Sequence, residues 1–146
     1  MTDTFRLMLV QANPVVGDIA GNAALARGYW QQGRAAGADM VALTEMFVTG
    51  YQTQDLILKP AFRDAAIAAI ETLAKDCADG PALGIGGPAM REGRVYNAWW
   101  VLQGGRATAT VLKHHLPNDA VFDEKRVFSA ADVAGPYVVN ALRIGT

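Results

Sequence analysis

Two short apolar runs flank a helical segment near the N-terminus, and this order constrains the fold more than any other feature. The runs are Phe5 to Val10 and Met40 to Leu43, and the segment between them is Asn22 to Ala36. Asn22 is the expected N-cap of the helix and Gly37 its expected stop. The expected buried stripe is Leu25, Tyr29, Gln32 and Ala36. A helical crossover between buried strands joins a parallel pair, so the sequence predicts a βαβ unit and an α/β fold.

The rest of the chain predicts a second helix and a mixed sheet. Residues 61–77 carry an apolar stripe of Phe62, Ala66, Ala69, Leu73 and Cys77. Residues 81–90 are typical of a third strand that ends in glycines. The apolar runs 95–102 and 107–113 flank Gly104-Gly105 and predict a β-hairpin, and Ala141 to Ile144 predicts a final strand.

Composition and charge argue against several classes of protein. The 146 residues suffice for one domain, and 51% apolar against 18% charged residues favours a large core or an interface. A net charge of −1 without a basic run argues against nucleic acid as a partner. There is no basic leader and no apolar run near 18 residues, so we expect no membrane segment and a cytoplasmic location.

The cysteine and histidine residues do not indicate a metal site. Cys77 is the only cysteine, which excludes an internal disulfide, and its place on the helical stripe favours a buried core residue over a reactive thiol. His114 and His115 are adjacent, so on an extended chain we expect their side chains to point to opposite faces. The sequence therefore predicts no metal ligands.

Glu45 and Lys113 are polar residues that local structure does not explain. Glu45 follows the strand Met40 to Leu43, and Lys113 ends a strand that Leu116-Pro117-Asn118 interrupts. Carboxyl ends of parallel strands collect functional groups. A carboxylate beside an ammonium group can act as a general base with a cationic stabiliser, but this pair lacks a nucleophile.

Three stretches carry a resemblance to a known family. "LTEMFVTGY" around Glu45 resembles the glutamate motif of the nitrilase-like carbon–nitrogen hydrolases. "KHHLPNDAVFDEKRVF" from Lys113 resembles the lysine motif of one branch, the amidase domain at the N-terminus of glutamine-dependent NAD synthetases. "VQANPVVGDIAGN" is similar to the opening of the same branch. The resemblance covers nearly the whole chain.

The resemblance implies a four-layer α-β-β-α sandwich, of which residues 1–146 would be roughly the first half, a partial amidase domain without a second domain. The other half of the sandwich would cover the inner face of the sheet. An exposed inner face would form an apolar patch larger than monomers tolerate, so we expect association with the missing half, with a partner or with a second copy.

The resemblance also implies a reaction. Glu45 would take the proton of a cysteine thiol, and Lys113 would stabilise charge on the carbonyl oxygen of glutamine or another small amide. The ammonia would pass to a separate ATP-dependent domain that amidates nicotinic acid adenine dinucleotide. ATP and Mg are expected only in that domain, and no cofactor is expected here. Glu124 matches a second glutamate near the substrate, although a surface ion pair with Lys125 or Arg126 is the alternative.

The sequence departs from the family pattern at two points. Asp119 stands where the family has a tyrosine that contacts glutamine, so the amide donor stays open. The family cysteine would follow "NALRIGT", and the chain ends at Thr146, so we expect no amidase activity from these residues alone. Two alternatives stay open: a fragment of another nitrilase-superfamily amidase, or a non-catalytic half-domain for assembly or ligand binding.

Overall fold

Five strands form one sheet in the order β1-β2-β3-β4-β5 in the computed structural model, which describes residues 4–145. These strands are β1 Leu7–Leu9, β2 Met40–Ala42, β3 Ala82–Arg91, β4 Arg94–Gln103 and β5 Arg106–Leu112. The pairs β1-β2 and β2-β3 are parallel, and the pairs β3-β4 and β4-β5 are antiparallel. The predicted parallel βαβ unit and the mixed sheet are confirmed.

Helix α1 spans Ile19–Ala35 and begins before the predicted N-cap. Asp18 caps it by accepting a hydrogen bond from the Gly21 N–H at 2.9 Å. Asn22 lies inside the first turn, and its buried amide bonds the backbone of Val15 and Val48 instead. The prediction of Asn22 as N-cap is therefore wrong, because Asp18 supplies the cap.

The buried face of α1 is displaced by one residue from the predicted stripe. The buried positions are Asn22, Ala23, Ala26, Trp30 and Gly33. The predicted stop is confirmed, because Gly37 follows the helix with a φ of +69°, a left-handed conformation that favours glycine. The stripe fails because Trp30, and not the adjacent Tyr29, is buried and donates its Nε1–H to the Pro81 carbonyl at 2.8 Å.

Helix α2 spans Pro60–Asp76 and buries the predicted side. Ala66, Leu73 and Cys77 are buried, together with Ile70. Cys77 lies directly after the helix and is 1% exposed. Burial raises the pKa of its thiol to about 11, a shift that the Arg27 charge opposes and the Asp76 charge assists. Cys77 is thus a neutral core residue, as predicted.

The two faces of the sheet have different covers. On one side, which we call the helix face, Val41, Leu83 and Leu102 pack with Trp30 and Ile70 of the helices. On the other side, which we call the hairpin face, Met40, Ala82, Trp99 and Val101 pack with Val139. The alternation of strand side chains between two faces produces this division.

Val139 belongs to a separate two-stranded hairpin. Its strands are β6 Tyr137–Val139 and β7 Leu142–Ile144, joined by a turn in which Asn140 and Ala141 have φ values of +49° and +67°. The predicted final strand is therefore one residue shorter, because Ala141 belongs to the turn. The expectation of a bare inner face is only partly correct, since this hairpin covers its centre.

The glycines of β3 lie within the strand and do not end it. The strand continues beyond Gly87 to Arg91 and turns at Glu92-Gly93, where both residues have positive φ. The predicted hairpin between β4 and β5 is confirmed, with its turn at Gly104-Gly105. Short 3-10 helices at Gln54–Leu58 and Glu124–Arg126 complete the description.

Candidate active site

Glu45 lies in a turn that is fastened to the neighbouring strand β3. The Gly86 N–H donates to the Thr44 carbonyl at 3.2 Å, and the Val48 N–H donates to the Gly86 carbonyl at 3.2 Å. A Cβ atom at Gly86 would lie 2.2 Å from the Met46 nitrogen. Only glycine at this position lets the turn approach the strand so closely. The sheet thus fixes the backbone that presents Glu45.

Lys113 follows β5, the last strand of the sheet, and its side chain extends to Glu45. Its backbone N–H donates to the Asn97 carbonyl at 2.9 Å, one step beyond the last paired residues Ala98 and Leu112 of β4 and β5. Its Nζ lies 2.7 Å from Oε1 of Glu45, a residue 68 positions away in the chain. The structure therefore brings together the two residues that the sequence singles out.

Glu124 completes a charged triplet with Lys113 at its centre. Its Oε1 lies 3.1 Å from Nζ of Lys113, and its side chain is only 5% exposed. The alternative of a surface ion pair with Lys125 or Arg126 is wrong, because Glu124 is buried and Arg126 pairs with Asp55 and Asp123. The other oxygen, Oε2, is buried without a hydrogen-bond partner among residues 4–145.

Tyr51 is a site residue that sequence reasoning did not single out. Its hydroxyl donates to Oε1 of Glu124 at 3.1 Å. Burial raises the pKa of Tyr51; the Gln52 hydrogen bond lowers it, and the hydrogen bond and charge of Glu124 raise it. Its only sequence signal is its place at the end of the quoted glutamate motif. Tyr51 stays protonated and holds the Glu124 carboxylate.

Asn97 is the second residue that sequence reasoning missed. It is 3% exposed, and its Nδ2 donates to Oε1 of Glu45 at 2.5 Å. The available signal was a buried amide in the apolar run 95–102, where every buried polar group needs a partner. That partner, Glu45, lies 52 residues away in the turn after β2, so the sequence alone does not identify it.

The electrostatics of the triplet keep Lys113 charged. Partial burial lowers the pKa of Lys113, but its hydrogen bonds to Glu45 and Glu124 and their negative charges outweigh this effect, so the pKa lies above its ordinary value. Lys113 side-chain exposure is 28% and that of Glu45 is 45%. The arrangement offers an accessible carboxylate base beside a permanent cation.

Three cavities adjoin this triplet, and the largest and the smallest of them are lined by different members of it. The largest, of about 360 Å³, opens on the hairpin face and is lined by Glu45, Asn97, Ala98, Trp99, Val111 and Lys113. The smallest, of about 220 Å³, lies beyond Glu124 and is bordered by Tyr51, Gln52, Val121 and Phe128 among others. Cys77 lines neither of these two cavities and belongs to the core of the helix face.

The remaining predicted positions lie outside the triplet. Asp119 is on an exposed loop, where its carbonyl accepts a hydrogen bond from the Phe122 N–H. The rings of His114 and His115 are 4.5 Å apart, so the expectation of opposite faces is wrong, because β5 ends at Leu112 and the chain beyond is not a strand. Between residues 4 and 145, no group of three or more His, Cys, Asp or Glu side chains could hold a metal ion.

None of the helices within residues 4–145 has the length and apolar character needed to cross a membrane.

Comparison with known proteins places the fold and the two motifs in context. The model of the carbon-nitrogen hydrolase family matches residues 6–146. A glutamine-dependent NAD(+) synthetase from Rhodobacter capsulatus is 59% identical over 145 residues, which are 99% of this chain and 26% of the relative. The structure of the glutamine-dependent NAD+ synthetase from Acinetobacter baumannii matches with a TM-score of 0.90 and 28% identity, over 97% of this chain and 27% of that chain.

A more distant match extends the fold comparison. An amidase of the nitrilase superfamily from Nesterenkonia matches with a TM-score of 0.76 and 22% identity, over 93% of this chain and 51% of that chain. At this identity the match shows a shared fold, and the predicted nitrilase-like fold is confirmed. The chain spans about a quarter of the length of the curated relatives it matches.

Proposed function

The chain belongs to the carbon–nitrogen hydrolase family, and from this premise we propose that it forms part of the glutaminase unit of a glutamine-dependent NAD synthetase. One observation carries the proposal: Nζ of Lys113 bridges the carboxylates of Glu45 and Glu124 at 2.7 and 3.1 Å. The same residues lie in the motifs that resemble this branch. The similarity to the Rhodobacter capsulatus synthetase supports the choice of branch.

The proposed reaction uses Glu45 as the general base. Glu45 takes the proton of a cysteine thiol, the thiolate attacks the side-chain amide carbon of glutamine, and the proton leaves with the departing ammonia. Water then cleaves the thioester. The cysteine is not Cys77, because that thiol is buried in the helix face and its pKa is raised to about 11. The pair therefore serves a cysteine that is not among these 146 residues.

Lys113 stabilises the oxygen of the attacked carbonyl. The two carboxylates hold its ammonium group in place and charged throughout the physiological range, so little reorganisation is needed when negative charge develops on the substrate. By the resemblance, Glu124 would be the second glutamate near the substrate.

Several parts of the proposal concern protein beyond these residues. The ammonia would pass to an ATP-dependent domain, and ATP and Mg would bind there. The other half of the sandwich or a second copy would pack against the hairpin face, where Trp99 and Val111 line the cavity. A cytoplasmic location stays a prediction.

A different amide donor is the second candidate. Asp119 lies on the exposed loop where the family has a tyrosine that contacts glutamine. A carboxylate in place of an aromatic ring changes both the charge and the shape of that contact. Rates of ammonia release from L-glutamine, L-asparagine and short aliphatic amides, measured in parallel, separate the two candidates.

The test is ammonia release from L-glutamine by the intact protein. Glu45→Gln and Lys113→Met are each expected to lower kcat/KM by about 10²- to 10⁴-fold, because each removes a group that acts in the transition state. Lys75→Met, which changes an exposed lysine at the end of α2, is the matched control and should retain full activity. Residues 1–146 in isolation should release no ammonia.

Two results would contradict the proposal. One is an intact wild-type protein that releases no ammonia from any of these amides. The other is a Glu45→Gln variant as active as the Lys75→Met control.

A further inference from the structure

We propose that Asn97 is a positioning residue that decides which oxygen of Glu45 acts as the base. This inference rests on the proposed function of the pair. Asn97 and Lys113 both donate to Oε1 of Glu45, and we assign the proton transfer to Oε2. In that step the thiol S–H bond breaks, an O–H bond forms at Oε2, and the electron pair stays on sulfur.

The hydrogen bonds to Glu45 are concentrated on one atom. Oε1 accepts from Nδ2 of Asn97 at 2.5 Å and from Nζ of Lys113 at 2.7 Å. A carboxylate oxygen has two lone pairs, so two N–H donors occupy both. No donor among residues 4–145 reaches Oε2 of Glu45. Both lone pairs of Oε1 are thereby occupied, which leaves Oε2 as the oxygen of Glu45 that can accept the proton.

Asn97 is more deeply buried than Glu45 and Lys113, the two residues that it connects. It is 3% exposed, whereas the Glu45 side chain is 45% exposed. Asn97 lies in β4 opposite Pro88, inside the sheet. An exposed carboxylate on its own rotates freely about its last torsion. A buried amide on a central strand stops that rotation and selects one orientation.

Asn97 also fixes the second member of the pair. Its backbone carbonyl accepts the Lys113 N–H at 2.9 Å, so one residue holds the carboxylate of Glu45 through its side chain and the backbone of Lys113 through its main chain. A substitution of the side chain removes the first contact and keeps the second. This separation makes the role testable by mutation.

The alternative is that the bond to Glu45 merely satisfies a buried amide. Under that alternative, loss of the amide lowers the stability of the fold and leaves the chemistry of Glu45 unchanged. Under the positioning role, the acid limb of the pH profile moves as well. Stability and the pH profile must therefore both be measured.

Asn97→Asp and Asn97→Leu in the intact protein test the role through kinetics. Both keep the number and branching of the side-chain heavy atoms of Asn97 and remove its donor; the leucine is bulkier, and the aspartate adds a like charge. We expect kcat for glutamine hydrolysis to fall by about 10²-fold with KM changed little, because a misdirected base costs the chemical step rather than binding. The acid limb of kcat/KM should move to higher pH, further for Asn97→Asp than for Asn97→Leu.

Gln103→Glu is the matched control for the aspartate variant. It makes the same amide-to-acid change on the same strand, six residues further along, about 20 Å from Asn97. Gln103 bonds the exposed side chain of Asn140 and lies outside the triplet. Its pH profile and kcat should match the wild type.

A spectroscopic measurement keeps the test independent of activity. In the intact wild-type protein, one side-chain amide proton of Asn97, assigned by its loss in Asn97→Leu, should lie downfield and exchange slowly. That shift should disappear on acidification and in Glu45→Gln. If this signature is present but no amide is hydrolysed, the proposed function fails while the contact stands.

Two results would overturn the inference. One is an Asn97 amide resonance whose chemical shift changes neither with pH nor in the Glu45→Gln variant. The other is folded Asn97→Asp and Asn97→Leu variants whose acid limbs coincide with the wild type, which would leave Asn97 with a structural role only.

Discussion

The two faces of the sheet differ in how far they bury residues that could be reactive. On the helix face, α1 and α2 close over Val41 and Leu83, and the lone thiol of Cys77 is buried and kept neutral. On the hairpin face, β6 and β7 cover only the centre, and the edge keeps Glu45 and Lys113 partly accessible. The comparison teaches that residue type alone does not mark a reactive group. Whether a group can react depends on how completely the face of the sheet that carries it is covered.

The largest expected difference between the faces is in stability. Ile70→Ala removes a 1% exposed side chain from the core of the helix face and should lower the free energy of unfolding by about 2–5 kcal/mol. Val111→Ala, at the half-buried cavity of the hairpin face, should cost less than about 1.5 kcal/mol. Urea unfolding of both variants measures the two values. Equal losses would show that both faces are closed alike.

The neutral thiol of Cys77 gives the next largest effect. Its pKa is raised to about 11, so the native state keeps the thiol proton after the unfolded chain has lost it. The stabilisation is therefore complete below about pH 9, the ordinary value of the thiol, and is lost as pH rises through the raised pKa, a decline of about 2–3 kcal/mol. Cys77→Ala should remove this part of the decline. Urea unfolding from pH 8 to 11 compares the two proteins, and parallel curves would contradict the buried neutral thiol.

A change at Gly86 acts where the sheet meets the turn of Glu45. Gly86→Ala puts a Cβ within 2.2 Å of the Met46 nitrogen and should lower the free energy of unfolding by about 1–3 kcal/mol. The same variant in the intact protein should lose the proposed glutaminase activity, because the backbone of Glu45 has to move. Gly28→Ala, in helix α1 with no atom near its Cβ, is the matched control and should stabilise by about 0.5–1 kcal/mol. An active, stable Gly86→Ala would refute the close approach.

The smallest expected effect belongs to a solvent-exposed ion pair on the helices that cover the helix face. Arg27 and Asp76 pair between the two helices with both side chains more than one third exposed. Arg27→Ala should change the free energy of unfolding by less than about 1 kcal/mol, because solvent and salt screen the pair. Thermal unfolding at low and high salt checks this value. A larger loss would mean that the helix face depends on its rim as well as on its core.

Local sequence patterns were sufficient where contrast and turn chemistry were strong. The sequence predicts the stripe of α2 because its apolar residues recur at helical spacing, and it predicts the hairpin because Gly104-Gly105 is a clear turn signal. The predicted face of α1 is wrong by one residue because Trp30, and not its neighbour Tyr29, is buried and donates to the Pro81 carbonyl. The prediction of Asn22 as a cap is wrong because its three side-chain hydrogen bonds go to Val15 and Val48, which lie outside the helix.

The same distinction between local and distant signals applies to the residues of the site. Glu45 and Lys113 were found because each is a charged residue at the end of an apolar strand. Tyr51 and Asn97 were missed because their partners, Glu124 and Glu45, are 73 and 52 residues away. A polar residue inside an apolar run signals that a partner exists, but only the packed strands reveal which partner it is.

The most direct measurement is covalent labelling of the intact protein with a thiol-reactive glutamine analogue, followed by mass spectrometry of its peptides. We predict a single label on a cysteine other than Cys77, blocked by L-glutamine and strongly slowed in Glu45→Gln. Labelling of Cys77 that glutamine protects would contradict the account, because it would place the chemistry on the helix face and leave Glu45 and Lys113 without a nucleophile to serve.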